Sequence, residues 1–305
     1  MAKVLVATVK PFAKAAVEGI QQIFSEAGYE MTLLEKYDDK SGFINAVSDA
    51  DALIIRSDKA DKEIIEAANN LKIIVRAGAG YDNIDLEAAT AKGITAMNTP
   101  GQNANAVAEL ALGMMVYAAR NCFNGQPGTE LRGKTLGLHA YGNVGKFVSA
   151  IAKGFGMDVS AFDPFVPEEK ITSDGLRAVK TIEELYSTNQ YISLHIPANE
   201  KTKNSINFDL LSKMPANATL VNTARAEVIC EESIQKIFAE RDDFQYATDI
   251  TPGCHETLTQ YGERYYATPK KMGAQTKEAN INAGLAAARQ IVNFLEKGDT
   301  TFKVN

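Results

Sequence analysis

One stretch, Lys134 to Asp163, limits what this chain can fold into more than any other: KTLGLHAYGNVGKFVSAIAKGFGMDVSAFD. Thr135 to Ala140 is a short apolar run that suits a buried strand. A glycine turn follows, and then Val144, Phe147, Val148, Ile151, Ala152 and Phe155 recur at the spacing of one helix face. Gly154 and Gly156 stop that helix, and Val159 to Phe162 forms a second strand. The turn, Ala140-Tyr141-Gly142-Asn143-Val144-Gly145, is G-x-G-x-x-G with alanine in the first place. Gly142 lets the backbone approach a pyrophosphate, and Gly145 lets helix pack on strand. The free N–H groups at the helix start, Asn143 and Val144, face the anion. Alanine in a turn that wants a left-handed residue costs about 1 kcal/mol. Asp163 closes the second strand about 18 residues after Gly145, near the roughly 20 expected for a carboxylate on the ribose 2'-hydroxyl. The next residues, Pro164, Phe165 and Val166, offer no cation to a 2'-phosphate. The unit therefore predicts NAD rather than NADP.

The rest of the chain repeats that alternation. Strands are expected at Val4–Thr8, Tyr29–Leu34, Ala52–Arg56, Lys72–Arg76 and Ile94–Met97, with helices between them. After Asp163 they recur at Arg177–Val179, Tyr191–His195, Thr219–Asn222, Gln245–Ile250 and Tyr265–Ala267. The final helix, Glu278 to Glu296, lies outside the nucleotide pattern and is assigned back to the first domain. The expected fold class is α/β, with two doubly wound parallel-sheet domains: residues 1–98, then 99–277, then 278–305 returning to the first. A chain of 305 residues is long enough for two such cores.

The net charge of −6 argues against nucleic acid or an anionic membrane as the main partner, so an anionic substrate would need a local cluster of cations. Three widely spaced cysteines, Cys122, Cys230 and Cys254, suggest reduced thiols and a cytoplasmic setting. No apolar run approaches a membrane span, the N-terminus enters a strand without a signal-peptide core, and no metal-ligand spacing is present.

At Val221-Asn222-Thr223-Ala224-Arg225 the chain resembles the V-N-x-[AS]-R segment of the D-2-hydroxyacid dehydrogenases. The joint MNTPGQNANAVAEL and the loop RAGAGYDNIDLEAA are similar to those of the branch that oxidises 3-phospho-D-glycerate at the start of serine synthesis. The resemblance implies a Rossmann NAD domain inserted in a flavodoxin-like substrate domain, with the active site in the cleft, and a homodimer formed through the nucleotide domain. It implies that Arg225 orients the substrate's carboxylate and carbonyl; a guanidinium after a buried strand end can do this by a bidentate pair. Arg56 and Arg76, at two strand ends, and Asn103 are expected to engage the substrate phosphate and nearby groups. The N–H groups of Ala79 and Gly80 add donors for the carboxylate or cofactor. Pro197, Thr223, Ala224 and Asp249, with Gly273 and Ala274, are expected around the cofactor, Asp249 on the nicotinamide carboxamide. The chain ends at Asn305 directly after the returning helix, so the regulatory domains of longer relatives, and inhibition through them, are not expected.

The acid/base position departs from the family. Its histidine, in T-P-H-[IL]-G-A, pairs with a glutamate about five residues after the aspartate matched by Asp249. Here the segment reads Ala267-Thr-Pro-Lys-Lys-Met-Gly-Ala274, and position five is Cys254. Alignment on Gly273-Ala274 puts Lys271 at the histidine, with Lys270 the alternative if the register slips by one. His139 and His195 read as packing residues, and His255 as part of an irregular loop. Lys271 is therefore expected to act as acid/base. Proximity to Arg225 and partial desolvation would lower its pKa, and an alkaline optimum for oxidation would follow. Two rival readings are a glyoxylate or hydroxypyruvate reductase and a non-catalytic NAD-sensing protein of the corepressor type.

Overall fold

The computed structural model describes all residues, 1–305. Two compact units comprise residues 1–103 with 276–305, and residues 104–275. Each is an α/β unit built on one parallel sheet, five-stranded in the first and seven-stranded in the second.

The first unit carries β1 (Lys3–Thr8), β2 (Glu30–Glu35), β3 (Ala52–Ile55), β4 (Ile73–Arg76) and β5 (Thr95–Asn98). Their spatial order is β2-β1-β3-β4-β5, and every neighbouring pair is parallel. Residues of β3 are buried throughout, as a strand covered on both faces requires. Three short helices start on aspartates: Asp39, Asp61 and Asp85 accept the amides of Gly42, Ile64 and Ala88 at 3.1, 3.2 and 2.9 Å. The long helix Lys277–Lys297 belongs to this unit and packs on the helix Lys14–Glu26. Glycine makes that crossing close: a Cβ at Gly19 would lie 2.5 Å from Leu285 Cδ2, and one at Gly284 would lie 3.0 Å from Ile20 Cδ1. The helices bury Ile20, Phe24, Ala287 and Ile291 against Val4, Ile54 and Val75 of the sheet.

The second unit carries β6 (Thr135–His139), β7 (Asp158–Phe162), β8 (Arg177–Ala178), β9 (Tyr191–Leu194), β10 (Thr219–Asn222), β11 (Gln245–Thr248) and β12 (Tyr265–Ala267). Their order is β12-β11-β10-β9-β6-β7-β8, so the winding reverses between β6 and β9. In open α/β sheets ligands bind beyond the carboxyl ends of the strands at that reversal. Both β9 and β11 stop short of their expected ends, which leaves His195 and Asp249 just past the strands.

The helix after the glycine turn, Asn143–Gly154, packs Val144, Val148, Ile151 and Ala152 of the expected stripe on the core but not its two phenylalanines. Gly145, Val148, Ser149 and Ala152 face inward, while Phe147 and Phe155 are 43% and 42% exposed. Small residues on the buried side let the helix Ala104–Ala119 pack against it. His255, expected in an irregular loop, instead begins the short helix His255–Thr259, with its Nδ1 2.8 Å from the Tyr265 hydroxyl.

Candidate active site

The second unit's glycine turn is built from the sheet upward. After β6 the chain enters Ala140 with φ at +83°, and the Ala140 amide donates to the Phe162 carbonyl at 2.9 Å. Gly142 caps the helix Asn143–Gly154 without any side-chain acceptor for its first-turn amides. A Cβ at Gly142 would meet nothing within 4 Å, whereas one at Gly145 would lie 2.6 Å from the Ala140 carbonyl oxygen. The turn is therefore tight against its own strand and open on the side where the unsatisfied N–H groups point, an arrangement that holds anions. Asp163, after β7, accepts from the amides of Tyr141 at 2.8 Å and Phe165 at 2.9 Å. Its carboxylate thus braces the turn, and its remaining lone pairs can still accept a hydroxyl.

Beneath the turn lie two histidines. His139 has its Nδ1 3.3 Å from the Tyr186 hydroxyl, and burial pushes its pKa down to about 4 against the pull of Asp163. The His195 amide donates to the His139 carbonyl at 3.0 Å. Burial, with His139 beside it, pushes the His195 pKa down to about 3. Burial thus favours the neutral form of both rings. The His195 Nε2 is a buried atom without a hydrogen-bond partner.

The turn after β10 carries Arg225, and a residue that sequence reasoning passed over shapes it. Asn222 is fully buried; its Oδ1 accepts from the Ala224 amide and its Nδ2 donates to the Arg225 carbonyl, both at 2.9 Å. The half-buried Arg225 donates through Nη1 to the Ala224 carbonyl at 2.8 Å, which leaves most of its planar fork for a carboxylate. Thr223, buried next to it, has an unpartnered hydroxyl.

Past β12 runs the segment with the two lysines. Asp249, fully buried, accepts through Oδ2 from the amides of Met272 at 3.1 Å and Gly273 at 2.6 Å, and its Oδ1 is buried without a partner. Lys270 and Lys271 are both exposed. Where the family's glutamate would stand, Cys254 is buried, and burial, reinforced by Glu231, pushes its thiol up to about 11. A carboxylate does reach this loop from elsewhere in the chain: Glu231 Oε1 accepts from the Gly253 amide at 2.6 Å. Nothing in the local sequence signals that contact.

In the first unit, Ile55 is in register with Arg76, so β3 and β4 bring Arg56 and Arg76 side by side. Arg76 Nε donates to the Arg56 carbonyl at 3.0 Å. Arg56 donates to the carbonyls of Lys10 and Pro11 and to Asn280 Oδ1, and burial lowers its pKa from the ordinary value. Asn98, a second residue that sequence reasoning passed over, donates to the Ala79 carbonyl at 2.6 Å. It holds the loop so that the N–H groups of Ala79 and Gly80 have no acceptor within the backbone. Asn103, beyond β5, is partly buried at the end of the first stretch of this unit.

Comparison with known proteins fixes the class. The family described as D-isomer specific 2-hydroxyacid dehydrogenase, catalytic domain, matches residues 6–305. The chain belongs to that family. It is 37% identical over 274 residues to the D-3-phosphoglycerate dehydrogenase of Methanocaldococcus jannaschii, a match covering 84% of this chain and 52% of the relative. The chain thus spans about half the length of that relative. It is 35% identical over 286 residues to the hydroxypyruvate reductase of Thermotoga maritima, covering 87% of this chain and 92% of the other. Among solved structures, the NAD+-bound 3-phosphoglycerate dehydrogenase of Entamoeba histolytica superposes with a TM-score of 0.88 at 48% identity, covering 100% of this chain and 98% of that one.

Proposed function

We propose that this protein is an NAD-dependent dehydrogenase that oxidises 3-phospho-D-glycerate to 3-phosphohydroxypyruvate, the first step of phosphorylated L-serine biosynthesis. The observation that carries the reading is the full-length 48% identity to the Entamoeba histolytica enzyme, in a chain that also sets two arginines side by side at the ends of β3 and β4. The chain's own residues suit NAD. The uncapped helix start beside the open Gly142 accommodates a diphosphate, and Asp249 Oδ1 and Thr223 Oγ1 are buried polar atoms that want partners.

NAD, when bound, supplies the acceptor for the hydride from C2 of the substrate. The N–H groups of Asn143 and Val144 hold the diphosphate, with Gly142 and Gly145 giving the backbone its close approach; Asp163 takes the ribose. Pro197, Thr223, Ala224, Asp249, Gly273 and Ala274 line the cofactor. Arg225 holds the substrate carboxylate with help from the Ala79 and Gly80 amides, while Arg56, Arg76 and Asn103 serve the phosphate. Lys271, in its neutral form, accepts the hydroxyl proton as the C2 carbonyl forms, with Lys270 the alternative. Because a lysine must lose its proton before it can act, oxidation has an alkaline optimum. The three cysteines are free and no helix is long and apolar enough to cross a membrane, which supports a cytoplasmic enzyme; we propose a homodimer, the habit of its family.

One observation favours a second reading, a reductase of unphosphorylated hydroxypyruvate or glyoxylate: Arg56 is already engaged by two backbone carbonyls and Asn280. Steady-state kinetics with hydroxypyruvate and its 3-phosphate separate the two. The proposed function requires a kcat/KM at least tenfold higher for the phosphorylated compound, and parity would transfer the assignment to the reductase. A flat NADH absorbance with every 2-hydroxy acid at high enzyme would leave a cofactor-sensing protein.

A further inference from the structure

The segment that carries Lys271 is braced on both sides by side chains from two adjacent strand ends. Asp249 directly follows β11 and Thr268 directly follows β12, and the Thr268 amide donates to the Thr248 carbonyl at 3.0 Å. Ahead of Lys271, the Thr268 hydroxyl donates to the Lys270 carbonyl at 2.7 Å. Behind it, Asp249 Oδ2 receives the amides of Met272 and Gly273. Thr268 is 3% exposed and Asp249 0%. Gly273 is needed for this approach, since a Cβ there would stand 3.1 Å from Asp249 Oδ2 and 3.2 Å from Val107 Cγ2. Two buried side chains thus fix the backbone on either side of an exposed lysine. The other oxygen of the same carboxylate, Oδ1, is buried and unpartnered.

We infer that Asp249 and Thr268 form a clamp that positions Lys271, and that Asp249 couples the placement of this lysine to the cofactor by using one carboxylate oxygen for each. The inference rests on the reading of Lys271 as acid/base and of Asp249 as a cofactor contact, and it adds what neither supplies. A lysine has four rotatable bonds, so its amine can be delivered repeatedly to one place only if the backbone beneath it does not move. A shift of about 1 Å in a reacting group is enough to cost about a hundredfold in rate. The clamp removes that backbone motion at the position where a lysine stands in place of the family's histidine. It also gives the two ends of Asp249 separable tasks. An asparagine can still accept the two amides through its oxygen, but it presents an NH2 group where Oδ1 now waits for a donor.

The test uses the full chain and four variants: D249A, D249N, T268V and K271M. Amide hydrogen exchange, read without cofactor, is expected to speed up at least tenfold at Met272 and Gly273 in D249A and to stay near wild type in D249N. NADH fluorescence titration is expected to show weakened binding in both Asp249 variants and unchanged binding in T268V. Single-turnover hydride transfer from 3-phospho-D-glycerate to NAD should slow about a hundredfold in D249A and about tenfold in T268V. The pH midpoint of that transfer should move in T268V and D249A. A purely structural role for Thr268 would lower the active fraction and leave the midpoint in place. Wild-type exchange at Met272 and Gly273 in D249A, or an unmoved midpoint in T268V, overturns the clamp. The underlying reading fails separately: near-normal hydride transfer in K271M removes Lys271 as the base, whatever the exchange rates show. Should D249A not fold, D249N and T268V still decide the matter.

Discussion

The chain carries two glycine loops at strand ends, and they solve opposite problems. In Ala77–Gly80, after β4, the space above Gly78 is filled by the protein itself: a Cβ there would lie 1.6 Å from Arg76 Nη1. The glycine exists so that a guanidinium can lie flat on the backbone. In Ala140–Gly145, after β6, the space at Gly142 is empty, and only Gly145 is pressed, by the carbonyl of Ala140. One loop makes room for the chain's own cation and the other leaves open space, where we propose the diphosphate of NAD lies. Glycine content therefore says little until the neighbour of each missing Cβ is known.

The two units also differ in how they should answer to acid, and this is the largest expected effect. All three histidines lie in the second unit, and two of them, His139 and His195, have pKa values pushed by burial to about 4 and about 3. A folded-state pKa below the unfolded value of about 6.5 means that the unfolded chain binds protons first as pH falls. Stability from these rings is nearly complete above about pH 6.5 and drains away toward pH 3, by on the order of 2 kcal/mol per ring, about 4 kcal/mol together, at pH 5. Amide exchange in β6 and β9 should accelerate between pH 7 and pH 5 after correction for intrinsic rates, while β1 and β3 hold. Equal loss in both sheets would erase the contrast.

Next in size is G145A. Its new Cβ would meet a backbone oxygen at 2.6 Å and cannot push it aside cheaply, so urea denaturation should report a loss of about 2 kcal/mol. G78A and G142A then sharpen the comparison of the loops as a pair. The first strains a backbone held at positive φ and displaces the Arg76 guanidinium, and it should raise the KM for the phosphorylated substrate about tenfold with NADH binding intact, a difference of about 1.4 kcal/mol. The second should leave stability within about 0.5 kcal/mol and weaken NADH instead. If both variants lost the same ligand, the two loops would not be performing separate tasks. The smallest effect belongs to A140G. Relief of a left-handed alanine, partly offset by the freer unfolded chain, should stabilise by about 0.5 kcal/mol in the same denaturation experiment.

How much of this was legible in advance follows from how far apart the interacting residues lie. The strand, turn, helix and strand that end at Asp163 fell where expected because they are contiguous and each piece has its own local signature. The strands Thr219–Asn222 and Tyr265–Ala267 fell where apolar runs placed them. The buried stripe of the helix Asn143–Gly154 did so only in part. Periodicity weighs large apolar residues, so it took in the exposed Phe147 and Phe155 and missed the buried Gly145 and Ser149. Asn222 and Asn98 were invisible as braces because an asparagine near a strand end is usually read as a turn residue. The Glu231 contact with Gly253 and the hold of Asp249 on Gly273 join residues more than 20 positions apart, beyond the reach of any local pattern.

The glycine-lined crossing of the helices Lys14–Glu26 and Lys277–Lys297 has a consequence for biosynthesis. A ribosome releases the first five strands long before the segment that must cover one side of them, so that sheet waits with an apolar flank uncovered while the whole nucleotide unit emerges and can fold. Late arrival of the tail completes the earliest-made part of the molecule, and a truncated nascent chain should engage chaperones through residues that were translated first.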